Sequence, residues 1–225
     1  MNPRHFKVSL MALLLSATSI CAVAGEDVPQ VTLEGLELVK DSKLSLVYAE
    51  PGVDLSHYNR INLADTYVSF RKNWQTDKTG ATQNGVSGSD MDRIKIELSD
   101  MFREVFSEVL EDGGYELVTE RAEDVLLLKP AIIKLDVNAP DSMTANGSHS
   151  YTESAGEMTL YLELYDSVTD DLIAKALDRQ KDRQTGYIQW QSGVTNRAAA
   201  TRILKVWANV LKNGLDEARA INKTN

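Results

Sequence analysis

Apolar and polar residues alternate most clearly in the second half of the chain. In residues 158–165, Met and three Leu point one way while Thr, Tyr, Glu and Tyr point the other, which is the pattern of a half-buried strand. The acidic stretch at residues 166–171 reads as a turn that leads into a second apolar segment, residues 172–177. The two segments are therefore predicted to form an antiparallel hairpin.

Four more segments have strand patterns. Residues 44–49 are predicted to form a short strand, and residues 115–119, after the first predicted helix, another. In residues 58–70 the alternation changes phase, which predicts a bulge within one strand. Residues 125–137 begin with an apolar run expected to be buried on both faces, and Pro130 then requires a bulge or an edge position.

Two segments have the three- and four-residue spacing of amphipathic helices. The first is predicted to begin at a cap formed by Ser89 or Asp90 and to stop at Gly113, and the second follows Thr195 or Asn196. The sum predicts an α+β (mixed α/β) fold. One mixed, largely antiparallel sheet of five or six strands carries two amphipathic helices on one face.

The N-terminal residues have the features of an export signal. Basic residues precede a short apolar core, residues 8–20, and small residues follow up to Ala24. We expect residues 1–24 to be a signal peptide cleaved between Ala24 and Gly25. The core is too short for a transmembrane helix. The alternative is lipidation of Cys21, which would make the protein an outer-membrane lipoprotein.

The rest of the chain divides into a leader of uncertain order, residues 25–43, and a single domain, residues 44–225. Because Cys21 is the one cysteine of the chain, this domain cannot use a disulfide, a thiolate nucleophile or a cysteine-ligated metal. The signal and the cysteine-free body predict a periplasmic location.

Charge and motifs exclude several classes of function. The formal net charge of -9 argues against nucleic acid as a partner, because phosphate binding needs clustered Lys and Arg. Neither a G-x-G-x-x-G nor a G-x-x-x-x-G-K-[ST] motif is present, so no nucleotide cofactor is expected. Asp166, Asp170 and Asp171 lack calcium-loop spacing and read as a solvated turn. We predict no cofactor and no metal site.

Catalytic candidates are few. Downstream of the predicted signal peptide the chain has two histidines, His57 and His149. A hydrolase triad could be written with His149 and either Ser148 or Ser150, but no strained nucleophile turn accompanies it. No catalytic residue is predicted, and a hydrolase that uses His149 or His57 remains the enzymatic alternative.

Three residues in polar loops are candidates for binding a partner: Trp74, His149 and Trp190. For each tryptophan the competing interpretation is a lid folded back onto the sheet. A third hypothesis is a small-ligand carrier whose cavity, between sheet and helices, is lined by Tyr161, Tyr165 or Trp190. The leading hypothesis is an exported, non-catalytic module that binds another cell-envelope component.

Three stretches carry a family resemblance: residues 48–71 (YAEPGVDLSHYNRINLADTYVSFR), 122–140 (AEDVLLLKPAIIKLDVNAP) and 156–179 (GEMTLYLELYDSVTDDLIAKALDR). Together they resemble the bacterial domain-of-unknown-function family numbered 3313. The resemblance implies an exported single domain, often a lipoprotein, and it carries over no catalytic residue. The chain departs from the family pattern at Asp170, which stands where the hairpin turn usually has Gly.

Overall fold

The computed structural model describes residues 28–79, 87–137, 151–152, 156–181, 189–190 and 193–222. The strands of these residues are β1 (Glu37–Leu38), β2 (Leu46–Ala49), β3 (Arg60–Leu63), β4 (Tyr67–Phe70), β5 (Glu116–Leu117), β6 (Val125–Val137), β7 (Tyr151–Thr152), β8 (Gly156–Asp166), β9 (Leu172–Lys181) and β10 (Gln189–Trp190). The helices are α1 (Trp74–Thr79), α2 (Gly88–Asp112) and α3 (Gly193–Asn222).

Eight strands form one mixed sheet in the order β1-β2-β9-β8-β6-β3-β5, and β4 pairs with the far half of β6. The α+β class with a mixed sheet is thus confirmed. The predicted count of five or six strands is wrong, because β1 is two residues long and too short to show a period, and because residues 58–70 form two strands, β3 and β4. The count of two helices is also wrong, since α1 lies in the segment read as an open loop. Strands β7 and β10 form a separate two-stranded sheet.

The predicted hairpin is confirmed, with β8 and β9 antiparallel from Glu157↔Lys181 to Tyr165↔Leu172. The central strand β6 pairs with β8 on one side and with β3 and β4 on the other. Strands β3 and β5 are parallel, and the connection between them includes α2. Parallel strands need such a crossover, because a tight turn can join only antiparallel strands.

Residues 58–70 do not form one bulged strand. Strands β3 and β4 are separate, and residues 64–66 break the ladder between them. Pro130 lies opposite this break. The Ala64 N–H donates to the Leu128 carbonyl, so by alternation the Pro130 nitrogen also faces the β3–β4 side. A proline is therefore tolerated in a central strand, because the hydrogen bond that it cannot donate falls at a gap.

Helices α2 and α3 pack on the same face of the sheet. A capping box starts α2 at Ser87, three residues before Asp90 and earlier than the pattern suggested. The Lys205 ammonium lies 3.6 Å from the Glu108 carboxylate, and the Tyr115 hydroxyl donates to Asp216 at 2.9 Å. Glu108 lies in α2 and Tyr115 follows three residues after its end, and their partners Lys205 and Asp216 advance along α3 in the same order, so the helices are parallel.

A buried carboxylate ties the sheet to α3. Asp178, on β9, is 3% exposed and accepts hydrogen bonds from the Ser45 backbone and hydroxyl, from Gln180 and from the Trp207 indole. Burial raises the pKa of Asp178, but the hydrogen bonds together lower it by more than burial raises it. The pKa of Asp178 in the folded protein therefore lies below the usual value. The carboxylate thus stays ionised within the core region.

Candidate functional site

The sheet has a second face that neither α2 nor α3 covers. Along β8, Met158, Leu160 and Leu162 belong to the core beneath the helices, so the alternate residues point away from the helices. Cross-strand pairing places further side chains beside them. We call this surface the tyrosine face and define it by Tyr48, Tyr67, Lys129, Tyr161, Glu163, Tyr165 and Lys175.

One carboxylate organises the centre of the tyrosine face. The Tyr161 hydroxyl donates to Glu163 Oε1 at 2.6 Å, and the Tyr165 hydroxyl donates to Glu163 Oε2 at 2.9 Å. Each phenol starts two residues from Glu163, about 7 Å along the strand. Both rings must therefore lean toward Glu163, and they lie along the sheet rather than standing upright on it.

The same geometry controls ionisation of the two phenols. Partial burial and the hydrogen bond to Glu163 raise the pKa of Tyr165 to about 12. The same two causes raise the pKa of Tyr161 well above its usual value. Both groups are therefore neutral hydrogen-bond donors at any physiological pH, and neither is a reactive phenolate.

Cations and a third tyrosine flank this centre. The Lys129 ammonium lies 4.0 Å from the centroid of the Tyr165 ring, a cation–π contact. Tyr67, on β4, is 65% exposed. It pairs with Ala131 of β6, and Ala131 pairs on its other side with Tyr161 of β8. The small alanine side chain therefore lies between two aromatic residues of the same face.

The leader covers one border of the tyrosine face. Residues 28–39, which we call the leader hairpin, fold back on themselves through a bridge between Val31 and Glu37. The Tyr48 hydroxyl donates to the Pro29 carbonyl at 2.9 Å, and the Lys175 ammonium lies 2.9 Å from Glu34. The hydrogen bond from Lys175 is the largest cause that lowers the pKa of Glu34 to about 2.

These groups are suited to binding rather than to covalent chemistry. Ring faces, hydroxyls, an ammonium and a carboxylate occur together on one sheet surface, which ranges from the exposed Tyr67 to the buried Tyr48. Tyrosine, which combines an apolar ring with a polar hydroxyl, is enriched at protein interfaces. Glu163 contacts two phenols of raised pKa, and no hydroxyl of lowered pKa lies beside it among the described residues.

Trp74 is a buried residue. It begins α1, is 1% exposed and stacks on Phe70 with ring centroids 4.3 Å apart. Its indole N–H donates to the Val137 carbonyl at 3.3 Å. The ring thus folds back onto the body, as the lid interpretation expects, and in this conformation it offers no exposed surface to a partner.

The other predicted positions are described only in part. Trp190 lies in β10 and pairs with Tyr151 of β7, while nothing is described of its side chain. His149 lies outside the described residues, as do Cys21, Ala24 and Gly25. What the sequence predicts for these residues stays a prediction.

His57 is exposed, and its ring packs against Tyr58 with centroids 4.0 Å apart. The Tyr58 hydroxyl donates to Asp166 at 2.7 Å, and burial together with this bond raises the pKa of Tyr58. The other oxygen of Asp166 accepts the N–H groups of Val168 and Thr169. The aspartate therefore organises its own turn.

Asp170 adopts a left-handed conformation, with φ of 58°, and pairs with Arg121 at 2.8 Å. This is the position at which the family pattern has Gly, and the tight turn is kept without it. Within the described ranges, no group of three or more His, Cys, Asp or Glu is arranged to hold a metal ion.

Two of the three residues predicted to line a carrier cavity, Tyr161 and Tyr165, are wrong for that position, while the prediction for Trp190 stays a prediction. Tyr161 and Tyr165 lie on the face opposite the helices, so they cannot line a cavity between sheet and helices. The sequence analysis did not single out Tyr67, Lys129, Glu163 or Lys175. The alternation in β8 carried the signal for Glu163, whereas the cross-strand register that assembles the other three has no signature within a single strand.

The model of one protein family, described as "Protein of unknown function (DUF3313)", matches residues 32–211. No curated protein matches the chain. Of the helices in the described part of the chain, none combines the length and the apolar character needed to cross a bilayer.

Several solved structures share parts of the fold. A protein from Xanthomonas campestris assigned to family DUF330 is 10% identical, with a TM-score of 0.45, over 79% of this chain and 94% of that chain. The PelC dodecamer from Paraburkholderia phytofirmans is 12% identical, with a TM-score of 0.35, over 74% and 96%. A DUF4136 family protein from Bacteroides thetaiotaomicron is 10% identical, with a TM-score of 0.34, over 73% and 95%. At these TM-scores none of them bears on what this chain binds.

Proposed function

The chain belongs to the DUF3313 family of proteins of unknown function, and from that premise we propose that it is a non-catalytic periplasmic module that binds another cell-envelope component through its tyrosine face. The observation that carries the proposal is the pair of phenols held on Glu163 beside Lys129, on a sheet face that α2 and α3 leave open. Tyrosines with fixed rings lose little entropy when a partner covers them.

The exposed part of this surface extends from Lys129 across Ala131 to Tyr67. Tyr67 is the most exposed aromatic side chain among the described residues, and its phenol offers both apolar area and a hydrogen bond. The export signal and the absence of cysteine from the body support a periplasmic location. Mass spectrometry of the mature N-terminus tests that location, since Gly25 and a lipidated Cys21 differ in mass.

Site-directed photo-crosslinking tests the binding surface. A photoreactive residue at Tyr67 or Lys129 is expected to join the protein to one envelope component in living cells. The matched control carries the same residue at Val206, an exposed position on α3 on the other side of the sheet. The proposal predicts a discrete product from the tyrosine face and none from the control.

A second arm uses Tyr67→Ala together with Lys129→Ala, two changes at the surface that leave the core intact. This variant is expected to recover the same component at least about tenfold less efficiently, as the loss of one hot-spot contact would give. Crosslinks that form equally from Val206, or recovery that both alanine changes leave untouched, would overturn the tyrosine face as the binding surface.

A further inference from the structure

The leader hairpin is attached to the sheet by few contacts. Strand β1 pairs with β2 through only two residue pairs, Glu37↔Ala49 and Leu38↔Tyr48, and the Val39 N–H donates to the Val47 carbonyl at 2.9 Å. Among the described residues, the other polar contacts between hairpin and sheet are the Glu34–Lys175 pair and the bond from Tyr48 to Pro29. An element held by so few bonds opens at a lower free energy than the sheet beneath it.

The hairpin is asymmetric in its apolar side chains. Leu36 is 2% exposed and lies on the side of the tyrosine face, because it shares a strand face with Leu38, the partner of Tyr48. Val31 and Leu33, by contrast, are exposed to solvent. The buried side chain of Leu36 and the ion pair of Glu34 with Lys175 are therefore two features that a strand replacing the hairpin would have to reproduce.

If the hairpin leaves, β2 becomes the edge of the sheet. Its outer carbonyl and N–H groups, now bonded by the leader, would be free to pair with another extended chain. Lys175 would lose its carboxylate partner, and the place of Leu36 would be empty beside Tyr48. The vacated position therefore specifies both the backbone and the side chains of an incoming strand.

We propose that the leader hairpin holds the place of a partner strand. When the hairpin lifts away, β2 accepts an extended segment of another envelope polypeptide, with an acidic side chain opposite Lys175 and an aliphatic side chain in the position of Leu36. This inference goes beyond the proposed function, since it uses the sheet edge beside Tyr48 and Lys175 and does not require Tyr67 or Lys129 to bind a partner.

A fluorescent peptide with the sequence of residues 28–41 serves as the probe, and fluorescence anisotropy measures its binding to the full chain. The released variant, Glu34→Lys with Leu36→Ser, repels Lys175 and removes the buried aliphatic group. The locked variant, Glu37→Cys with Ala49→Cys and Cys21→Ser, ties the hairpin to β2. The backbone pairing puts these Cα atoms about 5.5 Å apart, within disulfide range. The same protein after reduction is its matched control.

The peptide is expected to bind the released variant about tenfold or more tightly than the oxidised locked variant, because opening raises the fraction of binding-competent chains. Reduction of the disulfide should restore the affinity of the unlocked chain. A second peptide carrying Glu34→Lys is expected to bind the released variant weakly, since it puts two cations together.

Equal binding to the oxidised and reduced forms would overturn the proposal, because the peptide would then occupy another site. Failure to bind the released variant, when hydrogen exchange shows its leader amides to be open, would also overturn it. Should the double change unfold the chain, Glu34→Gln replaces it and removes only the ion pair. The assay uses no extract and no change at Tyr67 or Lys129, so its failure is distinct from failure of the crosslinking experiment.

Discussion

The indole N–H of Trp207 donates a hydrogen bond of 2.7 Å to the carboxylate of Asp178, and both side chains are buried between β9 and α3. This bond joins the last helix to the sheet, while Ser45 and Gln180 donate the other hydrogen bonds to the same carboxylate. A buried carboxylate that loses a donor keeps its charge but loses a hydrogen bond that offsets the cost of removing that charge from water.

Trp207→Phe is therefore expected to lower the free energy of unfolding by about 1–3 kcal/mol, the usual cost of removing a hydrogen bond to a charged group. Urea denaturation measures the change. Val206→Ala, at the exposed neighbouring position, is the control and should stay within about 0.5 kcal/mol of the parent. Equal stability of Trp207→Phe and the parent would show that the bond contributes nothing net.

Acid should weaken the fold partly through Asp178. Its pKa is lowered in the folded state, so its stabilising contribution is present above the unfolded value of about 3.9 and is lost as the pH falls through the folded pKa. Asp178→Asn is expected to be less stable at neutral pH and to lose less further stability on acidification. Parallel slopes of unfolding free energy against pH for the two proteins would contradict this.

Gly156 starts β8 at a φ of 148°, where a Cβ atom would lie 2.5 Å from the Asp136 carbonyl oxygen. Gly156→Ala is expected to cost about 2 kcal/mol or more, because the obstacle is backbone and cannot rotate away. Gly214→Ala is the matched control. Gly214 lies in α3 with open space around it, so the same change there should raise stability by about 0.5–1 kcal/mol. Thermal unfolding of both variants decides the matter.

Asp170 carries backbone strain that its side chain tolerates better than most. Asp170→Ala is expected to destabilise by about 1 kcal/mol, since alanine disfavours the left-handed region. Asp170→Gly should match or exceed the parent, because glycine adopts this conformation freely and the exposed pair with Arg121 contributes little. A larger loss with Gly than with Ala would assign the stability to the ion pair instead.

Glu163→Gln tests the arrangement of the tyrosine face. Loss of the charge is expected to lower the pKa of Tyr165 from about 12 toward its ordinary value, and that of Tyr161 in the same direction, while partial burial keeps both somewhat raised. The measurement is the phenolate absorbance during alkaline titration. Tyr165→Phe identifies which transition belongs to that residue. An unchanged titration would mean that Glu163 does not set these values.

The elements that could be predicted are those whose own residues bury one face. The alternation of Met158, Leu160 and Leu162 against Tyr161 and Glu163 identified β8 and its hairpin with β9. The spacing of Phe102 and Phe106 likewise identified α2. In each case a local period corresponds to a contact with the core, so the pattern and the structure report the same burial.

Other features depend on partners distant in the sequence. The phase change in residues 58–70 was visible and was interpreted as a bulge, whereas the break into two strands is evident only from the separate pairing of β3 and β4 with β6. Tyr67, Lys129 and Lys175 meet on one surface only through the register of β4, β6 and β9. Such a site is a property of strand pairing, which a pattern within one segment does not contain.

The position of Pro130 has a consequence for the fidelity of folding. A slip of β6 by one residue would turn its nitrogen from the β3–β4 break toward β8 and leave a carbonyl there without its donor in mid-sheet. In the native register no strand needs a donor at the Pro130 nitrogen, whereas in the slipped register a carbonyl of β8 would need one and not find it. Pro130 thus makes the register shifted by one residue less stable than the native register, and so favours correct strand pairing while the sheet assembles.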